Sequence, residues 1–101
     1  MMFELDKIDK LIHERTRLSI LSLLAGRDDW GFQDLKTELE LTDGNLITHI
    51  RKLLEAGYVS ETREETSSRP RTTYQMTDAG REAFRGYISL LESIVKFNQA
   101  D

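Results

Sequence analysis

The chain has 101 residues, 18 acidic against 14 basic side chains for a net charge of −4, two histidines and no cysteine. That length supports one modest core, the missing thiols exclude disulfides and thiolate metal sites, and His13 and His49 are too far apart in sequence to announce a metal cluster. No apolar run approaches the roughly 20 residues of a membrane span, and the start, MMFELDKID, lacks the basic-then-apolar order of a secretory leader, so a soluble cytoplasmic protein without a membrane partner is expected.

Leu5, Ile8, Leu11 and Ile12 recur at helical spacing and predict a short amphipathic helix over 5–12. A second helix is expected from a cap at Thr16 through Ala25. Leu18, Ile20, Leu21, Leu23 and Leu24 make it apolar around most of its circumference, and Gly26 is its stop. Trp30-Gly31-Phe32 is too short for an independent strand but can add to a sheet formed elsewhere. Residues 32–39, FQDLKTEL, bring Phe32, Leu35 and Leu39 to one helical face. After Glu40-Leu41, Thr42 caps a helix over 43–56, where Leu46, Ile50, Leu53 and Leu54 form one stripe. Only about three residues join these two helices, which forces the sharp crossing of a helix-turn-helix. Gly57 ends the second of them in a left-handed conformation. Residues 58–64 and 72–76 carry β-formers in partial alternation on either side of EETSSRPR, which predicts an antiparallel hairpin. Thr77 caps a last helix over 78–98, with Phe84, Tyr87, Ile88, Leu91, Ile94 and Val95 in register. Gly80 and Gly86 should each weaken it by about 1 kcal/mol relative to Ala.

The order predicts a mainly α fold with a small antiparallel β-hairpin, a winged helix-turn-helix forming a single domain over 1–101. In such a module the helix 43–56 can enter the major groove, and the wing 64–72 can touch backbone or minor groove. Asn45 can pair with adenine or stabilise the helix start. Thr48 suits a phosphate or a thymine methyl. His49 is either a phosphate donor or a partly buried helix residue. Gly44 permits close approach to a phosphate, or simply relaxes the capping turn. Asp43 fits the helix N-terminus. Arg51 and Lys52, one turn later, are backbone contacts or a solvated face. Ser68, Arg69 and Arg71 flank Pro70 in the wing, where Arg69 and Arg71 can clamp phosphate while Glu64 and Glu65 oppose them. Charge is unevenly spread: residues 1–41 are net −3, residues 42–76 net zero and residues 77–101 net −1. DNA affinity per subunit should therefore be moderate and salt-sensitive.

IHERTRLSILSLLA resembles the entry segment of ArsR-type winged-helix regulators, although the Pro common before the Thr-Arg pair is absent. GFQDLKTELELTDGNLITHIRKLLEAGYV resembles the helix-turn-helix of the related MarR/ArsR-like group, and SSRPRTTYQMTDAGREAF its wing and threonine-capped following helix. The resemblance spans roughly residues 6–95. It implies a dimeric DNA-binding transcriptional regulator, dimerised through terminal helices at about 4–13 and 78–98. Its helix contacts map onto Asn45, Thr48, His49 and Lys52, and its wing contacts onto Arg69 and Arg71. The family's metal sensors use Cys near the reading helix, or His and acids in the last helix. This chain has no Cys, and only Asp78, Glu82 and Glu92 as acids in that helix. A non-metal-sensing type without a cofactor is expected.

Independently, Leu5, Ile8, Ile12, Tyr87, Leu90, Leu91, Ile94 and Phe97 offer more apolar surface than a small core uses, which often marks an interface. A two-fold homodimer would address a pseudo-palindromic operator with half-sites about 34 Å apart, or a multiple of that. A small-molecule effector between dimer helices and reading heads is compatible with this plan, but nothing in the sequence identifies one. A repressor is favoured over an activator because no activation region is evident. The alternative, given the acidic balance, is a winged helix that docks on proteins. No nucleophile–base pair, phosphate loop or metal spacing points to an enzyme.

Overall fold

The computed structural model describes residues 5–66 and 69–99. Helix α1 (Arg15–Gly26) runs through the core, followed by β1 (Trp30–Gly31), α2 (Phe32–Leu39), α3 (Asp43–Glu55), β2 (Val59–Thr66), β3 (Arg69–Met76) and α4 (Asp78–Gln99). The sheet is antiparallel in the order β1-β3-β2. The short Trp30-Gly31 segment adds to the hairpin by pairing Trp30 with Tyr74 and Gly31 with Thr73. Ile20, Leu21 and Leu24 of α1, Leu35 of α2, and Leu46, Ile50 and Leu53 of α3 close the core with Ile12, Val59, Tyr74 and Tyr87.

Three local expectations change. The predicted helix over 5–12 is a single 3-10 turn, Leu5–Lys7, followed by turns. Asp9 explains the interruption: its Oδ1 accepts from the Leu11 and Ile12 amides at 2.9 and 3.3 Å, offering the backbone a local alternative to helix. The second helix starts at Arg15, capped by Glu14, whose Oε1 accepts from the Arg17 amide at 2.8 Å; Thr16 is not its cap. The hairpin also runs further than its polar sequence implies. Glu64 pairs with Arg71, Glu65 with Pro70 and Thr66 with Arg69, so much of the predicted 64–72 loop is strand. Pro70 is tolerated because β1 reaches only to Thr73, leaving that end of β3 on an open edge.

The helix-turn-helix depends on how α2 ends. Glu40 is left-handed (φ 53°), and the Leu41 amide donates to the Lys36 carbonyl at 3.0 Å. This closes α2 and turns the chain within two residues toward Thr42, whose side chain caps α3 by accepting from the Asn45 amide at 3.1 Å. Helix α3 ends the same way: Gly57 takes φ 79°, its amide donates to Leu54 and the Tyr58 amide to Leu53, each at 3.0 Å. The junction then latches α4. The Thr77 amide donates to the Tyr58 carbonyl at 3.0 Å and the Thr77 hydroxyl to the Gly57 carbonyl at 2.6 Å. Gly80 lies so close to the Tyr58 backbone that a Cβ there would overlap the Tyr58 carbonyl. The expectation that Gly80 merely weakens α4 is therefore incomplete, since its bareness lets α4 seat on the start of β2.

Among the described residues, Tyr87 is the last buried residue of α4 and Leu91 the last that packs on the core. The molecule measures 61 × 26 × 21 Å with a radius of gyration of 15.7 Å, against about 13 Å for a compact chain of this length. No helix among the described residues is long and apolar enough to cross a membrane.

Candidate nucleic-acid interface

With about 100° per residue, burying Leu46, Ile50 and Leu53 turns Gly44, Thr48, Arg51, Lys52 and Glu55 outward on α3, and all five are exposed. Asn45 is exposed on the flank nearer α1, and Ile47 on the flank nearer the hairpin. Ile47 lines a shallow groove with Ile50, Arg51, Leu54, Glu61 and Tyr74. Asp43 at the tip pairs with Lys36 of α2 at 2.8 Å. The acid that would repel a phosphate is thus partly neutralised within the helix-turn-helix. Gly44 has nothing within 4 Å of where a Cβ would stand, so no neighbour within the fold requires glycine there. The Thr48 hydroxyl donates to the Gly44 carbonyl at 2.8 Å, which leaves its oxygen lone pairs and methyl for an outside partner.

His49 departs from this outward set. It is half-buried, and Arg17 Nη1 lies 3.0 Å from its Nδ1. Arginine only donates, so Nδ1 is the acceptor and the ring proton of this neutral form sits on Nε2. Arg17 is itself buried, its Nε donating to the Leu11 carbonyl at 2.6 Å. Glu14 completes the cluster, 3.6 Å from His49 Nδ1 and 3.9 Å from Arg17 Nη1. Burial alone would raise the Glu14 carboxyl. The Arg17 and Thr16 amides, with the charge of Arg17 and that of His49 once its ring is protonated, outweigh it and hold the carboxyl below its ordinary value. His49 thus ties α3 to the start of α1, which is the partly buried alternative for this residue.

The wing is anchored on this frame. Tyr74 of β3 is buried beside α3, and burial, then the charge and hydrogen bond of Glu61, push its hydroxyl up to about 12. Arg71 is exposed two pairs below the hairpin tip, beyond the stretch of β3 that β1 covers. A Cβ on Gly31 would stand 3.6 Å from its Nη2 and 3.4 Å from Asp34 Oδ2, so this guanidinium reaches over the start of α2. Its strand partner is Glu64. Arg69 opens β3 opposite Thr66, near the tip. Ser68 lies outside the described residues. The structure therefore brings Gly44, Asn45, Thr48, Arg51 and Lys52 to one surface and sets Arg71 apart, beside α2. The sequence reading overlooked Arg17 and Glu14, because nothing local announces that α1 begins beneath α3. Ile47 was legible: it falls outside the Leu46–Ile50–Leu53 stripe, so an exposed position was foreseeable.

Residues 16–95 match the family model described as a winged helix DNA-binding domain. An uncharacterized protein of Methanocaldococcus jannaschii is 40% identical over 79 residues, covering 78% of this chain and 86% of that protein. A solved transcriptional regulator homologue from Pyrococcus horikoshii superposes with a TM-score of 0.87 at 31% identity, covering 95% of this chain and 97% of that one. The Staphylococcus aureus MepR–DNA complex superposes with a TM-score of 0.76 at 14% identity, covering 93% of this chain and 77% of that one, a likeness of fold.

Proposed function

Because the chain belongs to the winged helix DNA-binding domain family, we propose that it is a sequence-specific transcriptional regulator, a repressor, that binds a pseudo-palindromic operator as a homodimer. In this reading α3 enters the major groove. Asn45 and Thr48 face base edges, Gly44 lets the helix approach the backbone, and Arg51 and Lys52 hold phosphates. The wing, with Ser68, Arg69 and Arg71, lies on backbone or minor groove, and Arg71 would serve the phosphate nearest the start of α2. The observation that carries this is the division of α3. One face is locked into the core by Leu46, Ile50 and Leu53, while the opposite face is exposed and occupied by small, polar and basic groups. The solved Pyrococcus horikoshii relative is a transcriptional regulator homologue, and MepR was solved on DNA, which supports the same reading.

A second copy is the proposed cover for α4. Ile88, Leu91 and Val95 border a shallow apolar trough edged by Glu92, Lys96 and Gln99 on the C-terminal half of the helix. The N-terminal half of the expected dimer interface is recast, since residues 8–14 are turns fastened to the same fold by Asp9 and His13.

Binding to duplexes selected from a random pool, followed by anisotropy over a salt series, tests the proposal. Affinity should fall steeply with salt, and Asn45→Ala should change the preferred sequence. Arg71→Ala should weaken all sequences alike and flatten the salt slope. An absence of salt-dependent binding to any duplex would overturn the regulator reading in favour of a protein-docking winged helix.

A further inference from the structure

Among the described residues four large apolar side chains are exposed: Ile88, Val95 and Phe97, all on α4, and Ile47, at 42%. Ile47 alone of these stands on the reading half of α3. The fold gains little from it there. A β-branched residue forms helix less readily than Leu, Met or Lys, and the core below is already closed by Leu46 at 0% and Ile50 at 3% exposure.

Its surroundings narrow what it can recognise. Gly44 presents no side chain, and the Thr48 hydroxyl proton is committed to the Gly44 carbonyl at 2.8 Å. Of the side-chain N–H donors on α3's exposed surface, Asn45 lies across the helix and Lys52 on that far flank, while Arg51, one turn on, lines the same groove as Ile47. Ahead of Arg51, the tip of α3 on the wing side therefore offers a base pair the apolar side chain of Ile47 between a bare Gly44 and a hydroxyl whose proton is already used. In the major groove the feature that such a surface can distinguish is the C5-methyl group of thymine, since every other edge group there is a hydrogen-bond donor or acceptor.

Resting on the DNA-reading function proposed above, we propose that Ile47 is a specificity-determining residue that reads the C5-methyl of a thymine in each half-site. Asn45 and Ile47 then divide the task. Asn45 selects by hydrogen bonds, and Ile47 by an apolar contact that cytosine, adenine and guanine cannot return.

The test is a double-mutant cycle on a selected duplex, exchanging thymine for uracil one position at a time, which removes only the methyl group. For the wild-type protein, one exchange per half-site should weaken binding about threefold to fivefold, the scale of burying one methyl-sized group. For Ile47→Ala that exchange should have no effect, whereas Asn45→Ala should retain the full uracil penalty at the same base. Circular dichroism and thermal melts check that Ile47→Ala stays folded, as its exposure predicts. Equal uracil penalties in wild type and Ile47→Ala at every position would overturn this role for Ile47 and leave DNA reading intact. Failure of the wild-type protein to bind any duplex would instead overturn the regulator reading, and this proposal with it.

Discussion

Helices α3 and α4 begin alike and end in opposite circumstances. Each follows a Thr-Asp pair, and each capping threonine accepts an amide three residues on, Asn45 at 3.1 Å for Thr42 and Gly80 at 2.9 Å for Thr77. Each carries an apolar stripe at helical spacing. Yet the 13 residues of α3 bury Leu46, Ile50 and Leu53, while the 22 residues of α4 bury only Gly80 and Tyr87. Capping and periodicity decide that a helix forms, but not what covers it. The apolar face of α3 is spent on its own core. Much of that of α4 is left uncovered among the described residues.

The widest contrast should appear on truncating matched side chains. Leu53→Ala opens a cavity in the core and should cost about 2–5 kcal/mol. Val95→Ala, at a residue 52% exposed, should cost under about 0.5 kcal/mol in dilute protein. Urea melts at low and high protein concentration check both. Val95→Ala should become visible only where the wild type gains stability with concentration. A large cost in dilute protein would mean that α4 is covered within the same chain.

The glycines near the two caps should behave oppositely. Gly80→Ala drives a Cβ into the Tyr58 carbonyl and should destabilise by about 1–3 kcal/mol or more, unseating α4 from the end of α3. Gly44→Ala meets nothing in the fold and should raise stability by up to about 1 kcal/mol through helix propensity. If Gly44 approaches a phosphate, the same variant loses DNA affinity while gaining stability. Thermal melts and anisotropy on the two variants separate these effects.

These pairs also show what was legible in the chain. Helices α2, α3 and α4, the Thr42 and Thr77 caps and the Gly57 stop follow from local rules, because each rests on contacts within a few residues. The start of α1 did not. Glu14 is a weaker capping type than Thr16, but its carboxylate also serves Arg17 and His49, and that advantage arises only once α3 lies above it. The N-terminal helix failed similarly. Its periodicity was sound, but Asp9 binds two local amides and also accepts from the Tyr58 hydroxyl at 2.6 Å, a partner 49 residues away. At the candidate interface, the outward placement of Asn45, Thr48, Arg51 and Lys52 was legible from the helix face alone. His49 was not resolved from sequence because its position on the flank left both outcomes open until Arg17 came within 3.0 Å.

The capping threonines sharpen the comparison on a smaller scale. Thr42 makes one capping bond. Thr77 makes the same bond and donates its hydroxyl to the Gly57 carbonyl at 2.6 Å. Thr42→Ala should cost about 1 kcal/mol, and Thr77→Ala more, by about 0.5–1.5 kcal/mol for the second hydrogen bond. Thr77→Ser, which keeps both bonds, should recover most of the loss. Equal costs in melts of the two alanine variants would mean that the Gly57 latch contributes nothing, and that α4 is held by its packing on Tyr58 alone.

The smallest effect separates the α1 cap from both threonines, because only Glu14 titrates. Its carboxyl is held below the ordinary value of 4.5, so the unfolded chain takes up the proton first as pH falls. The charged cap's contribution is therefore fully present above about pH 5 and shrinks as pH drops through 4.5 toward the depressed folded value. Glu14→Gln keeps an acceptor for the Arg17 amide but loses the charge that faces Arg17 and His49. Its cost relative to wild type should stay below about 1 kcal/mol at neutral pH and vanish in acid, while the costs of Thr42→Ala and Thr77→Ala stay level across the same range. Urea melts between pH 4 and 7 measure all three. A Glu14→Gln cost that does not change with pH would show that the cap works through its hydrogen bond alone and that its charge does not help bind α1 to α3.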